Sequence, residues 1–544
     1  MATAGEQANA QKGFLGWVER TGNKLPDPVF IFIWLMGALI AVSILASLLG
    51  WSAIHPAEVD EETGALRVIS AASLLSAENI QRLWVDMPTT FTHFHPLGYV
   101  LVVMLGAGVA ERSGLFGTAM RAGVRNAPKS LLTPIVALVA MMGNLAADAA
   151  YVVLIPLAGV IFAAAGRHPI AGIAAAFAGV SGGFSANLLP GQLDALLFGI
   201  TEAAVESVFG EWTANIAGNW FFIAAMLVLF MPVIWYVTDR IIEPRLGRYQ
   251  PPSDAERIAA GQPEGEAEAR DEALTDKERK GLGRAGLAFL AIVILWVIFT
   301  VGPGTPLIDE TGTPEARLTP FYRSLVAGFF LLFLAGGWAY GSAVGTIKNH
   351  RDLVQMMSGA MGDLAYYLVL AFAAAHFVAM FGWSNLGLIL AVHGADGLQA
   401  LALPAPLLLG MIVLFSAFLN LFVGSASAKW ALMAPVLVPM LLLLGISAEM
   451  TTAAYRVGDS ATNIITPLMV YFPLILIFCQ RWQKDFGIGS LAATMLPYSI
   501  ALLIVGVAMV VGWVALDLPL GPGATVHIDT AAMLEAARAA PPAN

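Results

Sequence analysis

The chain has 544 residues, 58% of them AVILMFWYC and 12% Asp, Glu, Lys or Arg, about half the charged share of a soluble globular domain. With a mean hydropathy of +0.75, this excludes a soluble enzyme, a disordered chain and a fibrous repeat, and it indicates an all-α polytopic membrane protein, since β-barrels alternate and are less uniformly apolar. The net charge of −10 speaks against a nucleic-acid partner.

The N-terminal segment 1–27 is polar. The first apolar run, 28–51, is too long for a signal-peptide core and reads as a first span. Further runs near 97–116, 169–206, 217–238, 284–302, 319–341, 357–382, 452–480 and 488–514 bring the expected transmembrane helices to nine. Two other apolar stretches, 130–165 and 403–445, are broken by polar sequence, GNLAADAAY (143–151) and NLFVGSASAKW (420–430). That pattern predicts two re-entrant hairpins, because irregular backbone at membrane depth is tolerated only inside protein or beside a cavity. The chain then divides into first scaffold spans (28–129), a first transport core (130–208, hairpin then broken helix 169–206) and a span at 217–238. A charged, solvated linker (239–283), second scaffold spans (284–402) and a second core (403–480, hairpin then broken helix 452–480) follow, and then a last span (488–514) and a tail (515–544). The lone cysteine, Cys479, reads as a buried or lipid-facing hydrophobe.

Lys and Arg concentrate before the first span, after the second, in the linker, and after the sixth and eighth. The positive-inside rule therefore places the N-terminus in the cytoplasm and the C-terminus outside. The first hairpin enters from the cytoplasm and the second from outside. Overlaying 132–190 on 408–469 aligns Asn144 with Asn420 at an offset of 276, and then Pro156 with Pro435, Gly166 with Gly445 and Ser181 with Ser460 at 279. This predicts an inverted repeat with broken helices, the pattern of secondary transporters whose site lies between the repeats.

The break VSGGFSANLLPGQLD (180–194) offers Ser181, Ser185 and Asn187 as oxygens for Na⁺, or else is a kinked helix whose polar groups satisfy one another. In YRVGDSATNIITP (455–467), Arg456 and Asp459 lie three apart on one helix face. Charges inside a span are functional candidates by default. Asp459, with Ser460, Asn463 and Asn420, suits a cation; Arg456 suits an anionic substrate; a structural Arg–Asp pair is the blander reading. Ser425 and Ser427 sit where a half-helix N-terminus favours a carboxylate, Trp430 is placed to stack on an aromatic ring or simply to pack, and Lys429 is expected to snorkel. Asp194 suits a proton carrier, a substrate contact or a solvated helix end, and Asp148 a cavity-lining role. The GxGxxG match at Gly281, Gly283 and Gly286 follows no strand and is discounted; His93 and His95 read as an interfacial pair.

These residues resemble the AbgT family of bacterial p-aminobenzoyl-glutamate transporters, through TGNKLPDP (21–28), SGGFSANLL (181–189) with Asp194, NLFVGSASAKW (420–430) and AYRVGDSATNIITP (454–467). The resemblance implies a homodimer of nine-span subunits with two opposed hairpins, a fold similar to that of sodium–dicarboxylate symporters, and uptake of aminobenzoyl-glutamate or efflux of sulfonamide antimetabolites. It carries the family's functional Asp to Asp194, its Trp to Trp430, its Arg to Arg456, and its sodium-linked Asn and Asp to Asn420 and Asp459. One departure is Ala448, where the family usually has Pro; this is expected to free a backbone donor and relax the loop before the eighth span.

The sequence thus reads as an elevator-type, cation-coupled transporter of a small aromatic carboxylate in the bacterial inner membrane. Na⁺ (or H⁺) is placed beside Asn144 with Ser181, Ser185 and Asn187, and beside Asn420 with Asp459 and Asn463. Arg456, Ser425 and Ser427 hold the carboxylate, Asp194 borders it, and Trp430 packs on the ring. A sodium-coupled dicarboxylate symporter is the related alternative and an ion channel the alternative of another class. No nucleophile–base pair or metal cluster suggests an enzyme, and no organic cofactor is expected.

Overall fold

The computed structural model describes residues 27–59, 65–125, 128–146, 150–209, 212–247, 249, 274–302, 304–310, 317–466, 469 and 471–539. The N-terminal segment up to residue 26, Asp148 and most of the charged linker lie outside the described residues.

The chain is predominantly helical. Helix α1 (Pro28–Leu48) starts at Asp27, whose carboxylate accepts from Val29 N at 2.8 Å, with Pro28 supplying a preset φ in the first turn. An antiparallel pair, β1 (Ser52–Val59) and β2 (Leu66–Ser70), precedes two short helices, α2 (Ala77–Val85) and α3 (Met87–Thr92). Helices α4 (His95–Arg112) and α5 (Leu115–Arg125) bend by 63°. Then come α6 (Leu132–Met142), α7 (Ile155–Ala164), α8 (Pro169–Phe177, prolonged by a π turn to Gly182), α9 (Gln192–Phe209) and α10 (Trp220–Val237). The second half holds α11 (Asp276–Thr300), α12 (Thr319–Val344), α13 (His350–Asp363), α14 (Ala365–Trp383), α15 (Leu386–Ala400) and α16 (Ala405–Asn420). It ends with α17 (Ala426–Leu443), α18 (Ala448–Thr462), α19 (Phe472–Gln480), α20 (Ile488–Ala515) and α21 (Thr530–Ala539).

Among the described residues, seven helices are long and apolar enough to cross a membrane, namely α1, α10 with its extension to Leu246, α11, α12, α14, α17 and α20. They expose large apolar side chains such as Trp34, Leu290 and Ile504, which is favourable only against lipid or protein. The chain is a multi-pass membrane protein. The run at 357–382 divides at Leu364 into the polar, Asn349-capped α13 and the apolar α14. Helix α15 forms no long apolar run because His393, Asp396 and Gln399 interrupt it.

One apolar cluster gathers α6, α7, α8, α10, α16, α18, α19 and α20; a second gathers α1, α9, α14, α15 and α17; a third joins α4, α11 and α12. The two broken segments divide differently: α8 joins the first cluster and α9 the second, whereas α18 and α19 both contribute to the first. Their first halves, α8 and α18, contribute to the first cluster. Within it, Gly179 and Gly458 occupy positions related by the offset of 279. A Cβ on Gly179 would lie 3.0 Å from Ala137 O on α6, and one on Gly458 would lie 2.2 Å from Val413 O on α16. Ala137 and Val413 are themselves related by 276. In both halves a glycine brings the helix against the backbone of an earlier one, α8 with its π turn on α6 and α18 on α16.

The corners before α8 and α18 also correspond. Gly166 and Gly445 adopt φ of +77° and +78°, the left-handed conformation that favours glycine at a helix end. After Gly166, Arg167 reaches Glu243 through Nε at 3.1 Å, Thr133 Oγ1 through Nη1 at 2.8 Å and Asp239 Oδ1 through Nη2 at 2.5 Å. After Gly445, Ser447 binds the tail instead: its N donates to Val526 O at 2.9 Å and its Oγ to Thr525 O at 2.6 Å.

Ala448 does not leave this corner loose. Ser447 caps α18, its Oγ accepting from Met450 N at 3.1 Å, at φ −65° and ψ 155°. This is the backbone a residue before proline requires, and the first helical position tolerates a missing donor. Ala448→Pro should accordingly be neutral or stabilising by about 0.5 kcal/mol, through the unfolded chain. Melting temperatures of the purified variants test this; a clear fall would mean that the Ala448 donor or its packing matters.

Candidate functional site

The candidate residues converge where α8, α9, α16, α17 and α18 end or break. Helix α17 begins at Ser425, whose Oγ accepts from Ala428 N at 3.3 Å and lies 3.2 Å from Ser427 Oγ. Both serines are half-buried. Helix α9 carries Asp194 in its first turn, where Oδ2 accepts from Gly191 N at 2.7 Å. Carboxylates are favoured there by the free N–H groups and the helix dipole.

Arg456 and Asp459, three apart on α18, do not pair with each other. Arg456 Nη1 donates to Asp194 Oδ1 at 2.7 Å, with both side chains at most 5% exposed. Its Nε is buried without a hydrogen-bond partner. Asp459 instead meets Lys429. The Lys429 ammonium donates to Asp459 Oδ1 and to Asn420 Oδ1, and its side chain is 1% exposed. Lys429 does not snorkel; it is held inside by a carboxylate it can reach. Asn420 is fixed from the other side, its Nδ2 donating to Asp459 O at 2.7 Å, Thr462 Oγ1 at 2.9 Å and Asn463 Oδ1 at 2.9 Å.

The first-half residues are arranged differently. Asn144 Nδ2 donates to Met141 O at 3.0 Å and Gly183 O at 3.2 Å, so this asparagine ties the end of α6 to the break after α8, as Asn420 ties α16 to α18. Ser181 Oγ contacts Met469 Sδ at 3.2 Å. Ser185 N donates to Ser460 Oγ at 3.1 Å across the two halves. Among the described residues, Ser185 Oγ and Asn187 Oδ1 are buried without a partner. Two such oxygens two residues apart, next to an unwound segment, each carry a desolvation cost that no hydrogen bond offsets.

Trp430 is fully buried. Its Nε1 donates to Thr201 Oγ1 at 2.9 Å and its ring stacks on Tyr455 at 4.5 Å. Beside it, a narrow apolar cleft of about 10 Å³ is lined by Phe94, Leu196, Ile200, Tyr367, Ala374 and Ser427. Phe94 also lines a wider depression with Thr90, His93, Glu206 and Trp383. The cleft touches the candidate cluster through Ser427.

Sequence reasoning brings together Asn420, Asp459 and Asn463, and Asp194 with Arg456, but misses Lys429, Thr201 and Thr462. The signal for Lys429 was present: a lysine four residues into an apolar helix is subject to the same rule that singled out Arg456 and Asp459.

Residues 13–528 match the family described as "AbgT putative transporter family". The chain is 36% identical over 528 residues to the p-aminobenzoyl-glutamate transport protein of Escherichia coli K12, covering 96% of this chain and 99% of that one. The fold is similar to the Alcanivorax borkumensis YdaH transporter, whose crystal structure is described as revealing an unusual topology (TM-score 0.82, 40% identity, 91% of this chain and 100% of that one). It is also similar to Neisseria gonorrhoeae MtrF, described as illuminating a class of antimetabolite efflux pumps (TM-score 0.85, 42% identity, 94% of this chain and 100% of that one).

Proposed function

The chain belongs to the AbgT family of transporters, and from that premise we propose that it is a cation-coupled secondary active transporter of p-aminobenzoyl-glutamate, related aromatic carboxylates or sulfonamide antimetabolites in the bacterial inner membrane. The observation that carries this reading is the buried guanidinium of Arg456, held on one side by Asp194 while Nε stays uncommitted. A planar guanidinium with a free edge recognises a carboxylate, and an ionised group inside a membrane protein is costly enough to mark a substrate or ion path.

In this reading Arg456, Ser425 and Ser427 receive the carboxylate, Asp194 sets the orientation of the guanidinium, and Trp430 packs on the aromatic ring. Ser185 and Asn187, with Asn144 and Ser181, take Na⁺ as the coupling cation; if H⁺ couples instead, Asp194 is its carrier. The two tips act as re-entrant hairpins of an inverted repeat in a nine-span subunit, and the loaded core moves against the scaffold in an elevator motion within a homodimer. The matching glycines Gly179 and Gly458 and the matching corners support the repeat. The N-terminus is cytoplasmic and the C-terminus extracytoplasmic.

The test is accumulation of labelled p-aminobenzoyl-glutamate in proteoliposomes under separately imposed Na⁺ and H⁺ gradients, for wild type and Asn187→Ala. Accumulation driven by inward Na⁺ and lost in the variant supports a sodium symporter with its cation in the first half. Substrate movement opposite to H⁺ alone makes the protein an antiporter and removes the sodium assignments. Flux that never exceeds equilibration under either gradient overturns coupling altogether.

A further inference from the structure

The two halves carry different chemistry at positions related by the sequence repeat. In the second half, Asn420 Oδ1 and Asp459 Oδ1 converge on one point, and that point holds the ammonium of Lys429. Asn420 cannot turn its amide away, because its Nδ2 already donates to three oxygens. Lys429 also stands in the first turn of α17, where the helix dipole disfavours a cation. A lysine there, 1% exposed, is retained by the oxygens opposite it and not by its own helix. In the first half, the offset of 279 places Ala150 where the second has Lys429 and Val180 where it has Asp459. Those aligned positions carry neither charge of the pair, and among the described residues Ser185 Oγ and Asn187 Oδ1 are buried and unpartnered.

We propose that Lys429 is the resident cation of the second-half site: its ammonium occupies the place between Asn420 and Asp459 that a sodium ion would otherwise take, so that external cations bind in the first half alone. The proposal rests on the reading of the chain as a cation-coupled transporter, and it refines that reading by removing one of two expected sodium positions. It also makes the second half's charge balance independent of the ion outside. A carboxylate and an amide oxygen in low dielectric require a positive partner, and here the chain itself supplies one.

Sodium-dependent thermal stability of the purified full-length protein, in NaCl against choline chloride at equal ionic strength, tests this without transport. The Asn187→Ala background silences the first-half response. On that background, adding Lys429→Met should create a sodium-specific rise in melting temperature of about 3 °C, and adding Asp459→Asn as well should abolish it. If Lys429→Met folds only in sodium, that is the same result in stronger form. If the Asn187→Ala protein, with Lys429 intact, already shows a sodium response that Asp459→Asn removes, external sodium displaces the ammonium and the proposal fails. It also fails if Lys429→Met shows no sodium response, folded or not, while the charge-free Lys429→Met/Asp459→Asn protein folds normally; the pair is then a structural ion pair. A wild type indifferent to sodium beside a responsive Lys429→Met variant would overturn the first-half sodium reading and leave this proposal standing.

Discussion

Asp194→Ala should destabilise the protein by about 3–5 kcal/mol, the usual consequence of leaving one partner of a buried ion pair uncompensated, and should abolish substrate accumulation. The guanidinium of Arg456 is 1% exposed and has Asp194 as its ionic partner. Removing the carboxylate also takes away the acceptor for Gly191 N and so loosens the start of α9. Stability and function can be separated by removing both charges. Arg456→Met/Asp194→Leu should regain most of the lost stability, because an apolar pair of similar volume replaces a desolvated ionic one, yet should remain inactive. Melting temperature and proteoliposome uptake on the same preparations check both parts. A double variant that transports at the wild-type rate would show that neither residue touches the substrate.

Arg167→Ala should cost about 3 kcal/mol, with the damage confined to the corner before α8. One guanidinium there joins Thr133 on α6, Asp239 and Glu243 beyond α10, and the face of Phe162 at 4.5 Å. Lysine should recover only a minor part, since a single ammonium cannot serve three side chains along a planar fork. The next residue gives the corner a pH dependence. Burial lowers the pKa of His168, opposed by the charge of Glu243, and the neutral ring accepts from Ile170 N at 3.3 Å to cap α8. Because the folded state takes up the proton less readily than the unfolded one, this contribution is complete above the unfolded value of about 6.5 and is lost as the pH falls below it. His168→Asn keeps a capping acceptor and should flatten that part of the pH–stability profile. Parallel profiles for the two proteins would refute the assignment.

Of the seven helices able to cross a membrane, α1, α10, α11, α12, α14 and α20 were legible because a membrane demands about twenty apolar residues in a row, whereas α17 was read as half of a hairpin. Less legible were elements that obey another rule. Helix α13 is amphipathic, α15 is interrupted by His393 and Asp396, and the β1–β2 pair is a short alternation outside any span. At the site, sequence spacing put Arg456 and Asp459 on one helix face, which held, but spacing along a helix does not name a partner. Arg456 finds its carboxylate on α9 and Asp459 its ammonium on α17, both fixed by tertiary packing. The glycines Gly179 and Gly458 look like ordinary membrane-helix glycines until the neighbouring carbonyls are placed.

The corner at Ser447 has a consequence for biosynthesis. The corresponding corner of the first half closes with Asp239 and Glu243, so it can assemble while the second half is still being translated. The corner before α18 instead uses Thr525 and Val526, and Leu520 O also binds Phe222 N at the start of α10. These residues all follow α20 in the chain. A chain stopped just beyond α20 would therefore lack both the closing bonds of the second-half corner and the Leu520 bond at the start of α10 in the first half.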